Sequence, residues 1–343
     1  MAEGTARELR IDVEVVAPLV GVADRARVLA DAGADGILAF EDVHDPFFPL
    51  LLVAVAGVGL DLYPSCAVAF PRSPTHLAQV AWELQAVSGG RFALGVAPQV
   101  RPHVERRFSA TWGRPVDHMA EFIGATRAVF DCWQQRTRLS YSGEYYDLSL
   151  MTPAFAPEPL EVGPPPIWLG ALGPRMTALA GRVADGQVVH GFHTQPYLRH
   201  HLLPTLNDAL TGAGRRREDF TVAINVIVGA GVDDAERGAA REAVRRMLGF
   251  YGSTPAYRVS LEVAGWGAVQ GRLNELSKQG RWRDLAGEVT DEMLDAIAIV
   301  GSPEAVAAEL RARYGDVADR VGVYTPADAP DRSAEIVRAF RSP

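Results

Sequence analysis

Short apolar runs alternate along the chain with longer stretches whose apolar residues stand three and four apart. These are the periods of buried strand and amphipathic helix. The runs "IDVEVVAP" (11–18), "GILAFE" (36–41), "LYPSCAVAF" (62–70) and "RFALGVA" (91–97) read as the first four strands. "IWLGA" (167–171), "QVVH" (187–190), "FTVAINVIVGAG" (220–231) and "DRVGVYTP" (319–326) read as four more. After the first strand, Val22, Ala26, Leu29 and Ala30 share one helix face, and Gly33 ends it. An apolar helix follows near 47–57. Ser73 is placed to cap a third helix, with Pro74 at its first position and Gly89–Gly90 as its stop. Further helices are expected at 116–133, from Pro174, near 196–210, from Ser302–Pro303–Glu304 and from about 331.

Two stretches break the rhythm. Residues 137–166 hold aromatic and β-rich positions around Ser142–Gly143, a hairpin pattern, followed by a proline-rich crossing. Residues 234–296 are mostly helical but interrupted at "YGSTPAYR" and "VAGWGAVQG", and they read as an insertion after strand seven. Eight strands, most followed by a helix, predict an α/β chain forming one (β/α)8 TIM barrel domain over 1–343. An open doubly wound sheet is the alternative. Against it, the first strand–helix joint, "VVAPLVGVAD", has a single glycine and no dinucleotide fingerprint.

Composition removes several function classes. A net charge of −8 argues against nucleic acid as a partner. Only Cys66 and Cys132 are present, with no CxxC, so neither a disulfide framework nor a zinc site is expected. The start shows no secretory pattern, and the longest apolar run, "LLLVAVAGVGL" (50–60), is too short for a bilayer. A cytoplasmic protein with no membrane partner is expected.

In such a barrel, chemistry sits where strands end and helices begin. After strand two, "FEDVHDPF" places Glu41, Asp42, His44 and Asp45 together. Glu41 and His44 are the candidates for acid–base work, and Asp42 and Asp45 for capping the next helix. No second cluster at ligand spacing supports a metal. After strand four, Arg101, Arg106, Arg107 and Arg114 gather with His103; they suit either an anionic tail or a solvated loop with local ion pairs. At the fifth joint, Gly170 and Gly173 allow close approach, and Pro174 opens a helix whose first amides could hold a phosphate. The same spacing also suits any tight turn. His190 and His193 follow strand six, His193 reading as a packed residue. No G-x-S-x-G, H-E-x-x-H or P-loop is present, which weakens hydrolase and kinase readings.

The segment "PRSPTHLAQVAWELQAVSGGRFALGV" resembles luciferase-like flavin and deazaflavin oxidoreductases, in which a helix ending S-G-G-R runs into L-G-V-G. "YSGEYYDL", "PPPIWLGALGPRMTALAGRVADG" and "VGSPEAVAAELRARY" are similar to that family in the same order and spacing. "HDPF" and "AFPRSP" resemble the branch that uses coenzyme F420, a deazaflavin, described mainly in actinobacteria.

The resemblance implies a barrel with the cofactor ring at its mouth and a hydride passed between the deazaflavin and an organic substrate. Glu41 or His44 would handle the proton, with His190 a second candidate. The phosphate would lie at Gly170, Leu172 and Gly173, and the tail near Arg101, Arg106 and Arg107. Ala97 and Gln99 would face the cofactor in "GVAPQV", where Pro98 removes an amide donor. A non-proline cis bond supporting the ring is expected at Ser65–Cys66. An FMN-dependent monooxygenase, or a flavin-binding barrel without turnover, are the alternatives. A homodimer is expected from relatives.

Overall fold

A computed structural model describes residues 8–15 and 19–342; positions 16–18 of the expected first strand lie outside them. The chain runs β1 (Arg10–Glu14), α1 (Val22–Ala32), β2 (Gly36–Ala39), α2 (Phe47–Ala56), β3 (Asp61–Pro64), β4 (Ala67–Val68) and α3 (Pro74–Val87). It continues through β5 (Leu94–Ala97), α4 (Pro115–Gln135), β6 (Tyr141–Ser142), β7 (Asp147–Leu148), β8 (Ile167–Ala171), α5 (Pro174–Val183) and β9 (Gly186–Val189). Then come α6 (Gln195–Tyr197), α7 (Leu203–Gly212), β10 (Thr221–Ala230), α8 (Asp234–Gly252), α9 (Arg258–Val263), α10 (Gly267–Lys278) and α11 (Asp291–Ile297). β11 (Ile299–Gly301), α12 (Pro303–Tyr314), β12 (Arg320–Tyr324) and α13 (Ser333–Arg341) close the chain.

The strands pair in parallel in the order β3-β2-β1-β12-β10-β9-β8-β5-β4. The two ends of that path are one bent strand: β3 pairs β2, and β4 pairs β5. Eight staves therefore close, the third in two pieces. The expected third strand (62–70) is interrupted after Pro64, and β11, which was not expected, extends β10 beyond its neighbours. The helix expected near 196–210 is α6 and α7 joined through a wide turn, Leu198–Leu202. Local signals explain the helix ends. Ser73 Oγ accepts from the His76 amide and Ser302 Oγ from the Ala305 amide, while Gly33 takes the left-handed conformation.

Side chains fill the barrel. Leu38, Tyr63, Ala93, Trp168, Val188 and Ala223 meet inside it, with the Tyr63 and Trp168 rings 4.9 Å apart. At the closed end, Arg320 grips Asp12 with Nη2–Oδ1 at 2.6 Å and Nε–Oδ2 at 2.8 Å, and Tyr63 donates to Asp12 at 2.8 Å. Asp61 takes a third bond from Arg320 at 2.7 Å. Buried charges survive only when paired this fully, so this end is a plug, and in barrels of this kind sites form at the opposite, open end. The β6–β7 hairpin docks there through a stack in which His118 lies between Phe70 and Tyr145, 4.0 and 4.1 Å from them. Among the described residues, no helix is long and apolar enough to cross a membrane.

Candidate active site

The break in the third stave contains a cis peptide, Ser65–Cys66, at the bond expected for it. Asn225 Nδ2, from β10, donates to Ser65 Oγ at 2.9 Å across the barrel interior and holds the bulge. Two glycines let the bulge sit against its neighbours. A Cβ on Gly95 would lie 2.0 Å from the Pro64 carbonyl oxygen. One on Gly170 would lie 2.8 Å from Cys66 Sγ and 3.0 Å from the Ala97 Cβ. Cys66, Ala97 and Gly170 therefore meet with only small side chains between them. Burial pushes the Cys66 thiol up to about 12, so it stays protonated and contributes shape, not nucleophilicity.

At the next joint, α5 starts at Pro174 with Gly173 as its cap residue and no side chain capping it. A Cβ on Gly173 would touch nothing within 4 Å, and its φ of −72° is open to any residue. Close backbone packing thus explains Gly170 but not Gly173. The first-turn amides of α5 keep their donors for another acceptor. The joint is braced from behind: Tyr197 donates to the Leu172 carbonyl at 2.6 Å, and Gln187 Nε2 lies 3.2 Å from both the Ala171 carbonyl and Thr177 Oγ1.

Glu41 is already occupied. Its Oε2 accepts from the Val68 amide at 2.7 Å and from Arg72 at 2.6 Å, and Oε1 accepts from Arg72 at 2.8 Å. Its side chain is only 6% exposed. This carboxylate ties the end of β2 to β4, a positioning task. Asp45 accepts from the Phe47 amide at 2.9 Å and from Arg72 at 2.8 Å, and Asp42 Oδ1 accepts from the Val43 and His44 amides. His44 is exposed on the same loop. Arg107 reaches that loop and donates to the Asp42 carbonyl, Arg101 pairs with Glu105 at 3.0 Å, and Arg106 is exposed. Gln99 is held at φ 64°, its Oε1 accepting from the Val100 amide.

The sixth joint carries His190. The Phe192 amide donates to its Nδ1 at 3.0 Å, which leaves the ring proton on Nε2. Burial, with His193 adding to it, lowers His190 to about 3, so the ring is a neutral hydrogen-bond donor. It stacks on Tyr257 at 4.4 Å and meets Tyr251 edge-on at 4.9 Å. His193 is bonded at Nδ1 to the His190 carbonyl (2.9 Å) and at Nε2 to the Tyr314 hydroxyl (3.2 Å), a packed role.

Glu14, at the mouth end of β1, is the functional candidate that the sequence reading missed. Desolvation raises its carboxyl to about 8, Asp42 pushes the same way, and Arg25 only partly opposes. Burial also raises Tyr251 to about 12, and Glu14 contributes. Tyr257 is raised by burial, then by Tyr251 and Cys66. Tyr251 and Tyr257, from the 234–296 segment, lie over the sixth joint against the His190 ring. A cavity of about 200 Å³ is lined by Glu14, Ala39, Phe40, Asp42, His44 and Pro49 among others. The Phe40 ring packs edge-on to Tyr324 at 4.9 Å. A larger groove, about 320 Å³, lies outside the barrel between α3 and α4, away from every strand end. One signal could have found Glu14: it is the carboxylate in an apolar strand at the position where that strand reaches the mouth. Tyr251 and Tyr257 had no such signal, being two aromatic residues in an irregular segment.

Comparison with known proteins agrees with this fold. The family model for luciferase-like monooxygenases matches residues 5–320. The Mycobacterium tuberculosis protein Rv1360 is 44% identical over 318 residues, 93% of this chain and 94% of its own. The 5,10-methylenetetrahydromethanopterin reductase of Archaeoglobus fulgidus is 28% identical over 75% of this chain and 74% of its own. Among solved structures, the coenzyme F420-dependent tetrahydromethanopterin reductase from Methanopyrus kandleri superposes with a TM-score of 0.76 at 19% identity, covering 98% of both chains.

Proposed function

We propose that this chain, which belongs to the luciferase-like monooxygenase family, is a coenzyme F420-dependent oxidoreductase acting on a small organic molecule. The observation that carries the reading is the close meeting of Cys66, Ala97 and Gly170, all with small side chains, with Gly170 three residues before the uncapped start of α5 at Gly173. The F420-dependent enzymes among its relatives support the deazaflavin over FMN. When bound, the deazaflavin supplies a ring carbon that accepts or releases a hydride.

The chain's own groups bind, orient and exchange a proton. The joint at Leu172 and Gly173, with the first amides of α5, would hold the phosphate, favoured by the helix dipole. Arg101, Arg106 and Arg107 would meet an anionic tail. Glu14 is the group that exchanges a proton near neutral pH, because its carboxyl ionises at about 8. His190 would donate from Nε2 to a substrate oxygen. Glu41 positions the bulge through the Val68 amide, and His44 sits at the entrance. A second copy of the chain would cover α2, a helix without a polar residue that exposes Phe48, Leu51, Leu52 and Val55 by 60, 39, 41 and 69%.

Titration of the purified protein with F420 and with FMN, followed by absorbance and calorimetry, tests the reading. F420 is expected to bind at least about tenfold tighter than FMN. Tighter FMN binding with oxygen-dependent turnover would replace the proposal with a monooxygenase.

A further inference from the structure

We propose that Tyr257 and Ser260 are positioning residues for His190: the 234–296 segment is fastened to the sixth joint so that the Tyr257 ring fixes the imidazole with its Nε2 proton presented to a ligand oxygen. That this oxygen belongs to a substrate rests on the oxidoreductase reading above; the fixing of the ring does not.

The His190 ring needs more than its own loop to be fixed. The Phe192 amide at Nδ1 gives the ring its one hydrogen bond among the described residues. That bond selects the tautomer, but a single neutral hydrogen bond is a modest constraint. An imidazole that swings away from it exposes both nitrogens to water, and the proton then exchanges between them. Among the described residues the only buried side-chain nitrogen without a partner is His118 Nδ1, so the unpaired His190 Nε2 is open to solvent or a ligand.

The segment supplies the missing constraint. Tyr257 lies on the face of the imidazole, 4.4 Å away and 29° from parallel, and Tyr251 meets it edge-on at 4.9 Å and 85°. Rotation sweeps the space over a ring's face, so a flat neighbour in contact blocks it.

Tyr257 is held in place by a closed circuit of contacts. The short turn Pro255–Tyr257 is set by the Tyr257 amide, which donates to the Thr254 carbonyl at 3.0 Å. Three positions on, Ser260 in α9 is fully buried, and its Oγ accepts from the Thr194 amide at 3.1 Å. A buried serine is costly unless it is bonded, and the partner of Ser260 is the joint, not its own helix. Thr194 stands four residues after His190. The circuit runs from His190 along its loop to Thr194, across one hydrogen bond to Ser260, back one turn to Tyr257, and across the stack to His190. Its loop side is stiffened by His193 Nδ1, which donates to the His190 carbonyl at 2.9 Å. Close packing at Gly191 adds to this, since a Cβ there would lie 2.5 Å from the Tyr324 hydroxyl oxygen. On the segment side, a Cβ on Gly252 would lie 2.7 Å from Leu273 Cδ1 and 3.3 Å from the Phe192 ring.

Long-range 1H–15N NMR of the full chain, without cofactor and near neutral pH, reads the tautomer of His190, its signals assigned by their loss in His190→Gln. The wild type and Tyr257→Phe, which keeps the flat face, are expected to show a single neutral tautomer with the proton on Nε2. Tyr257→Ala and Ser260→Ala are expected to lose that single signal to a mixture of the two tautomers. Trp266→Ala removes a ring from the same apolar cluster that does not lie on His190, and it is expected to leave the signal as in the wild type. Should Tyr257→Ala not fold, Tyr257→Leu fills the space without a flat face and carries the same expectation. An unchanged signal in the Tyr257 variant that lacks a ring, or in Ser260→Ala, would overturn the proposal. So would a mixture in the wild type or in Tyr257→Phe, or a loss in Trp266→Ala as complete as in Tyr257→Ala, which would mark general loosening. The spectra need no cofactor, so failure of F420 to bind would remove the oxidoreductase reading and leave this assignment standing.

Discussion

Replacing Glu14 by Gln preserves size and removes titration, so it isolates what burying this carboxyl costs. In the unfolded chain Glu14 loses its proton near 4.5; in the folded protein it keeps it until about 8. Between those values the folded state binds one more proton than the unfolded state, and stability falls as pH rises. Each unit of pH in that window costs at most about 1.4 kcal/mol. The side chain keeps partial access to solvent, so about half that slope is expected, a loss on the order of 2 kcal/mol by pH 8. Below the unfolded value both states are protonated and the penalty vanishes. Glu14→Gln should therefore match the wild type near pH 5 in urea denaturation and exceed it by about 1–2 kcal/mol near pH 8. Parallel stability curves for the two proteins across this range would refute the burial argument and, with it, the assignment of Glu14 as the exchanging acid.

Gly173→Val places a branched side chain where no protein atom stands within 4 Å, so calorimetry should show F420 binding weakened by about tenfold or more at a capping cost of at most about 1 kcal/mol. Unchanged affinity would leave Gly173 as turn chemistry. Arg320→Met strands the buried Asp12 carboxylate and should cost about 3–5 kcal/mol in denaturant midpoint measurements, with Asp12→Leu in the same chain restoring most of it. Deazaflavin affinity should fall between low and high salt, and Arg106→Gln should flatten that dependence in fluorescence titrations. Light scattering should report a dimer for the wild type and a monomer for Leu52→Glu/Val55→Glu, two exposed positions of α2 whose change leaves the barrel core untouched.

The barrel was legible because its signals are local. The alternation of buried strands with capped helices depends on residues a few positions apart, and Ser73, Ser302, Gly33 and Pro174 stand at the helix boundaries where short-range chemistry requires them. Gly170, the Ser65–Cys66 bond and the joint at Gly173 were also readable, through spacing and a family resemblance carried by short motifs. The state of each ionisable group was not. Glu41 looked like a free acid and is spent on Arg72, thirty-one positions away, while His190 looked basic and is a neutral donor. Glu14 was not singled out at all and holds its proton to about 8. Protonation depends on which charges and how much water surround a group. Those surroundings are assembled by strand closure and by the packing of α8 and the turn at Tyr257 over the mouth, contacts between residues far apart in the chain. Local pattern determined the scaffold; only the tertiary structure, by removing water from some groups and pairing others, decided which side chains are left to do chemistry.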